Sequence, residues 1–428
     1  MPEFLPFSKA VDWSTKTPLF LGREVDTYDP PIDYKDVSGL TIPSAQAGKG
    51  LAYSLDGMYM AVTTGTNSPY LYIYKRVSEG VFIKLDNPTE LPPSGTNGVA
   101  LSPDGTYLVV THNTSPFITM YKRSGDTFTK LAISGTPSTA YGCEFSSDGV
   151  YLSVAHANSP YITIYKRSGD TFTKLSNPSI LPNGAALGCS FSADGIYLSV
   201  ASNTSPFITM YKRSGDTFTK LADPSILPDG SAKDCSFSAD GVYLAVAHDV
   251  GVVTVYKRSG DTFTKLDFPV AWVATTPYPY ACAFSPDGNY LAIGGQNISP
   301  TFLMFKRDGD TFSPLTSVAR IFSVVYGMKF SPDSAFIAIA HNGTPYISLL
   351  KGSGELPYLQ AEVIGSGYLC SLPPGTYRLT VDGALKPWEI RTEDTEVNLF
   401  PFRFNTSVKV SSYTPADQFK TQAMVVLD

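Results

Sequence analysis

Residues Tyr121 to Leu131 read YKRSGDTFTKL, and the same eleven letters recur from Tyr165, Tyr211 and Tyr256, with decayed versions from Tyr74 and Phe305. Working outward from this block, a Ser-Pro-Asp-Gly turn or a near variant recurs with its Asp at Asp56, Asp104, Asp148, Asp194, Asp240, Asp287 and Asp333, spaced 44 to 48 residues apart. Self-similarity at such a period is the signature of a repeat architecture, so the chain is read as seven copies of one unit.

Each unit reads as four short strands. In the third, YGCEFS alternates up to the turn at Asp148 and Gly149, YLSVAH follows it, YITIYKR follows an Asn-Ser-Pro loop, and TFTKL follows a Ser-Gly-Asp turn. β-Branched and aromatic residues at period two, bounded by Gly, Pro, Asn and Asp, are strand and turn signals. Four-stranded units of this length match propeller blades, radially arranged sheets that pack face to face. The expected fold is all-β, a seven-bladed β-propeller of four-stranded blades over residues 31–355.

Composition agrees and removes several classes. Only 16% of the 428 residues are charged, against a usual figure of about 25%, while aromatics reach 13% and Gly and Pro number 35 and 33. That is not the composition of a helical bundle, and 43% apolar residues with a net charge of −6 argue against disorder. No basic footprint suggests nucleic acid. No apolar run reaches the roughly 18 residues of a membrane helix, so no membrane insertion is expected, and the opening MPEFLPFSKAVDW lacks the order of a signal peptide. Five cysteines without CxxC pairs suggest reduced thiols.

The pattern F-S-P-D-G, then Y-L-x-V-A, then I-T-I-Y resembles seven-bladed WD-repeat propellers and the related YVTN-type propellers. It departs from the former where they carry Trp-Asp, because Tyr165 and Lys166 and their equivalents stand there. Near-identical blades with flanking extras are also similar in style to propeller proteins carried on the virions of tailed bacteriophages. That resemblance implies a virion component of the tail or capsid surface, assembled in the host cytoplasm, and otherwise a cytoplasmic protein.

Two segments lie outside the repeat. Residues 1–30 hold Phe4, Phe7, Trp13 and Phe20 among prolines, and apolar residues on such a segment imply an extended docking arm. Residues 356–428 change to a different alternation, read as a small β-sandwich, with Cys370 in it. Propellers close by completing one blade with both ends of the ring. Ile32 to Val37 is read as the closing strand, with Tyr34 where Phe218 lies and Val37 where Leu221 lies; Leu356 to Gln360 is the competing candidate.

All four histidines, His112, His156, His248 and His341, fall eight residues after the turn Asp, and Thr64, Ser202 and Gly295 take that place elsewhere. Equivalent places in different blades lie too far apart to share a metal, so these are read as buried hydrogen-bonded imidazoles rather than loop-edge ones. Cys143, Cys189, Cys235 and Cys282 alternate with Leu51, Val99 and Met328 and read as apolar core. The Lys-Arg pairs at the third-to-fourth strand turns read as guards against edge pairing, ahead of an anion site.

The remaining loops supply the candidate binding residues. Trp272, Tyr278 and Tyr280 break the repeat, and Asn113 and Asn203 open the Asn-Thr-Ser-Pro-Phe loops; rings stack and amides hydrogen-bond, which suits sugar or protein recognition. No nucleophile elbow, phosphate loop or HExxH stands in the chain, and few non-repeated polar residues are expected to converge at the axis, with Glu144 and Asp234 as isolated acids. The expected function is a non-enzymatic structural and interaction protein without cofactor or metal. It is anchored by its arm to other virion or assembly proteins, presents its loops to a host-surface receptor, and is able to oligomerise. A carbohydrate-binding propeller recognising a cell-surface glycan is the second expectation, and a cryptic propeller hydrolase the third.

Overall fold

The computed structural model describes residues 46–352, apart from 137, 251–252, 270–277, 297–300, 316–320 and 322, together with Leu40, Ile42 and the backbone of strands at 35–36 and between 358 and 425. The chain divides into two compact units, Pro31–Ser353 and the remainder.

The first unit is a seven-bladed propeller of four-stranded antiparallel sheets. Six blades run in chain order through 48–84, 96–131, 140–174, 186–220, 232–265 and 278–314, each sheet ordered first to fourth strand. The seventh takes Val325–Phe330, Phe336–His341 and Ile347–Lys351 and is completed by Lys35–Asp36. Lys35 pairs with Lys351 and Asp36 with Leu350. The equivalent partners in the fourth blade are Lys212 with Thr219 and Tyr211 with Lys220, so the closing strand holds the register expected from its alignment with Phe218 and Leu221. The competing candidate goes elsewhere: Tyr358–Ala361 pairs with Val408–Pro415 in the other unit.

That unit contains a four-stranded sheet and a two-stranded sheet. The packing expected of a sandwich, the side chain of Cys370, and the arm residues Phe4, Phe7, Trp13 and Phe20 lie outside the described residues.

Hydrophobic burial in the ring lies between blades. One cluster joins Ala100, Tyr107, Val109 and Met120 of the second blade to Phe145, Leu152, Val154 and Tyr165 of the third, and each neighbouring pair repeats the arrangement. The second strand of a blade is covered on both faces, which is why Tyr151–His156 is buried at all six positions. Gly at the turn takes a positive φ, 64° at Gly149, and the turn is bound by its own polar residues: Ser146 Oγ donates to Asp148 at 2.5 Å and accepts from Tyr151 N at 2.9 Å.

The Lys-Arg pairs do more than guard edges. Lys166 Nζ lies 2.8 Å from Asp216 of the next blade, where Tyr151 also donates its hydroxyl at 2.6 Å. Arg213 of that next blade reaches back to Asp148 at 3.0 Å and lies over the Tyr151 ring at 4.6 Å. The same crossed pairs join Lys122 to Asp170 at 2.6 Å and Arg167 to Asp104 at 2.8 Å, and Lys257 to Asp310 at 2.7 Å and Arg307 to Asp240 at 2.8 Å. At the closure, Arg76 of the first blade binds Asp333 of the seventh at 2.9 Å. The pairs therefore form an inter-blade latch in addition to guarding edges, because the turn Asp and the Ser-Gly-Asp turn meet at the same end of the ring.

Arg213→Ala, which removes a part-buried ion pair and its ring contact, is expected to destabilise the ring by about 1–2 kcal/mol. Lys166→Ala, at an exposed pair, leaves the denaturant midpoint nearly unchanged; equal shifts would refute this ranking. A chain lacking residues 1–37 is expected to unfold more than about 5 °C below one lacking residues 1–30, because only the former leaves a three-stranded blade. Matching transitions in calorimetry would reject closure by Lys35–Asp36.

Candidate functional site

The innermost strand of a propeller blade is a sheet edge, with backbone groups facing the axis and no further strand to pair them. Every first strand in this ring breaks register near its start, and the first residue in each break is Lys49, Asn97, Tyr141, Leu187, Lys233, Tyr280 or Tyr326. The residue after it is Gly in five blades, for a spatial reason. A Cβ on Gly142 would come within 2.9 Å of the Gly188 Cα, and one on Gly188 within 2.9 Å of the Asp234 Cα. Neighbouring inner strands touch at this level, so the bulged residues just above it stand around the axis at the loop side. Each of them is half-buried.

Three consecutive blades bring their bulged side chains into contact. The rings of Tyr280 and Tyr326 have centroids 5.5 Å apart at 36°, and the Lys49 ammonium sits 3.3 Å from the Tyr326 centroid. Burial holds the Lys49 pKa below its ordinary value. Tyr280 donates its hydroxyl to Gln296 Oε1 at 3.1 Å. Two other members are tethered outward: Asn97 Nδ2 donates to Asn113 Oδ1 at 2.9 Å and to Ala140 O at 2.7 Å, and Lys233 pairs with Asp249 at 3.3 Å.

At the other end of the axis stands a second set of non-repeated residues, four before the turn Asp. Glu144, Ser190 and Ser236 each accept from a backbone N–H of the next inner strand, at Phe191 (2.5 Å), Phe237 (3.3 Å) and Phe284 (3.2 Å). They line a shallow depression with Lys329, whose Nζ is 3.7 Å from Glu144 Oε1. Asp234, in the place of a collar glycine, accepts from Cys235 N at 2.9 Å and Cys282 N at 3.1 Å. Burial raises the Glu144 pKa against the pull of Lys329, and pushes that of Asp234 up to about 6. These two acids cap edge strands, and the expectation of few polar residues at the axis is corrected.

The sequence candidates separate. Tyr280 belongs to the axial arc and Asn113 to its margin through Asn97, while Tyr278 is 40% exposed on the same strand. Asn203 is exposed and accepts from Thr204 Oγ1 at 3.1 Å, apart from the arc. Trp272 lies outside the described residues. Pro-aromatic loop residues such as Phe117 and Phe207 pack against the blade cores. His156 is buried between Asn158 O (2.9 Å) and Thr163 Oγ1 (3.0 Å), its pKa lowered by burial to about 4. Cys189, Cys235 and Cys282 are buried, and burial raises their thiol pKa values. Among the described residues no three His, Cys, Asp or Glu side chains are grouped to hold a metal. The residues that sequence reasoning missed are Lys49 and Tyr326. Their signal was the column itself, which reads Lys, Asn, Tyr, Leu, Lys, Tyr, Tyr inside a repeat that elsewhere keeps its letters.

Comparison with known proteins finds no matching family and no similar curated protein. Among solved structures, the chain is similar to Kuenenia stuttgartiensis hydrazine synthase, with a TM-score of 0.57 and 16% identity over 75% of this chain and 99% of that one. At that identity the likeness shows the fold alone.

Asp234 gives the axis a pH dependence. A carboxyl whose pKa is raised on folding binds its proton more tightly when folded, so its contribution to stability is greatest below the unfolded value near 4 and is lost as the pH rises through about 6. Asp234→Asn is expected to unfold at higher denaturant than the parent at pH 7, with the difference shrinking toward pH 4. A difference independent of pH would show that the carboxyl is not perturbed.

Proposed function

We propose that the chain is a non-enzymatic structural and interaction protein, a bacteriophage virion component of the tail or capsid surface. It docks through residues 1–30 on other virion proteins and holds the loop side of its propeller toward host-surface or protein contacts. The observation that carries the interaction role is how the repeat uses its polar residues. The recurring Lys, Arg, Asp, Tyr and His side chains are bonded to neighbouring strands or blades, as Lys166, Arg213, Tyr151 and His156 illustrate. A ring built in this way is a rigid frame for the residues that differ between blades. The virion placement draws on the near-identity of the blades and the aromatic, Pro-containing first thirty residues. No helix among the described residues is long and apolar enough to cross a membrane.

Recognition of a cell-surface glycan is a second reading, favoured by the arc of Tyr280, Tyr326 and Lys49, because rings, hydroxyls and a cation suit sugar faces and edges.

Sedimentation of virion particles tests the first reading. The full chain is expected in the particle fraction and a chain lacking residues 1–30 in the soluble fraction. Particles that retain both would reject the arm as the anchor, and particles without the full chain would reject the virion role.

A further inference from the structure

We infer that the loop-side axial mouth binds an acidic saccharide, with the Lys49 ammonium receiving its carboxylate and Tyr280, Tyr326 and Tyr141 bordering its ring and hydroxyls. The inference deepens the glycan-binding reading and rests on it.

Three observations lead there. The bulged column differs in identity from blade to blade, although closing a ring of equivalent blades requires no such difference. Lys49 is then unlike the latch lysines: Lys75, Lys122, Lys166, Lys212 and Lys257 each lie within 2.8 Å of an Asp. Among the described residues no carboxylate pairs with Lys49, whose contact is the Tyr326 ring at 3.3 Å. A half-buried ammonium without a counter-ion offers an incoming anion a charge-assisted hydrogen bond with reduced competition from water.

The charge of the ring selects the ligand. Lys233 is neutralised by Asp249 at 3.3 Å, which leaves Lys49 as the unpaired cation of the seven bulged positions. One positive charge suits a monoanion, whereas a polyphosphate calls for several cations or the fork of an arginine. The remaining members are three tyrosines, an asparagine and a leucine, a set that matches the hydroxyls and apolar face of a sugar ring.

Calorimetric titration of the full chain with glucuronate, glucose and acetate tests the assignment. Glucuronate is expected to bind at least about tenfold more tightly than glucose or acetate, and less tightly as salt rises. Lys49→Met is expected to remove that tenfold preference by lowering glucuronate affinity to that of glucose, with circular dichroism showing a folded chain; Lys49→Arg retains most of it. Equal binding of glucuronate and glucose, or a preference that survives Lys49→Met, overturns the axial acidic-sugar site while the glycan reading stands. Acetate binding as tightly as glucuronate overturns the saccharide assignment in favour of a simple carboxylate site. Binding of no sugar overturns both readings together.

Discussion

The crossed latch between neighbouring blades is the interaction on which the ring depends. A turn Asp in one blade receives an arginine from the next, and the Ser-Gly-Asp aspartate of that next blade receives a tyrosine hydroxyl and a lysine from the first, as in Asp148 with Arg213 and Asp216 with Tyr151 and Lys166. Neither half can form within one blade. The apolar clusters obey the same rule, since Tyr107 and Val109 find their cover on Phe145 and Val154 across a seam. A single blade is therefore a poor folding unit, and stability resides in nearest-neighbour interfaces, as in other repeat proteins.

The seams are not all equal. At the closure Phe336 replaces the latch tyrosine and Glu79 the turn aspartate, yet both ion pairs form: Arg76 binds Asp333 and lies 5.2 Å over the phenyl ring, and Lys351 binds Glu79 at 2.9 Å. Before it, Gly352 stands where other blades carry arginine, and the two turns meet instead through Asp287 N donating to Ser334 Oγ at 3.0 Å. The seventh blade thus lacks the latch tyrosine and arginine, and its fourth strand comes from the other end of the propeller. Closure by Lys35–Asp36 adds backbone pairing to that blade.

The ring was legible because its determinants are local. Asp-Gly turns, period-two alternation and the eleven-residue block each act within a few residues, and even the register of the closing strand could be read by aligning Val37 with Leu221. The roles of the lysines and arginines were not, because their ion pairs join residues 48 to 67 positions apart, and 257 at the closure, through the geometry of adjacent sheets. The axial site was hidden for a related reason. Lys49 and Tyr326 are 277 positions apart in the chain and meet because closing the ring places the first blade beside the seventh. Attention to aromatic loops found Tyr280 but gave equal weight to Asn203, which the fold leaves apart from the arc.

Repetition and function therefore pull on different columns of the unit. Around the circumference every blade must fit its neighbour, and there the letters repeat. At the axis the strands approach so closely that glycine is the residue that fits, and each departure has a cost: Asp234 in the collar carries a carboxyl whose ionisation burial opposes. Ala281 makes the neighbouring departure, directly after Tyr280. A ring selected for closure alone would gain from glycine at both places and from small residues in the bulges. The fifth, sixth, seventh and first blades instead carry Lys233, Tyr280, Tyr326 and Lys49 at these positions, and the proposed saccharide site draws on that asymmetry, since a sevenfold-symmetric mouth could orient nothing smaller than itself.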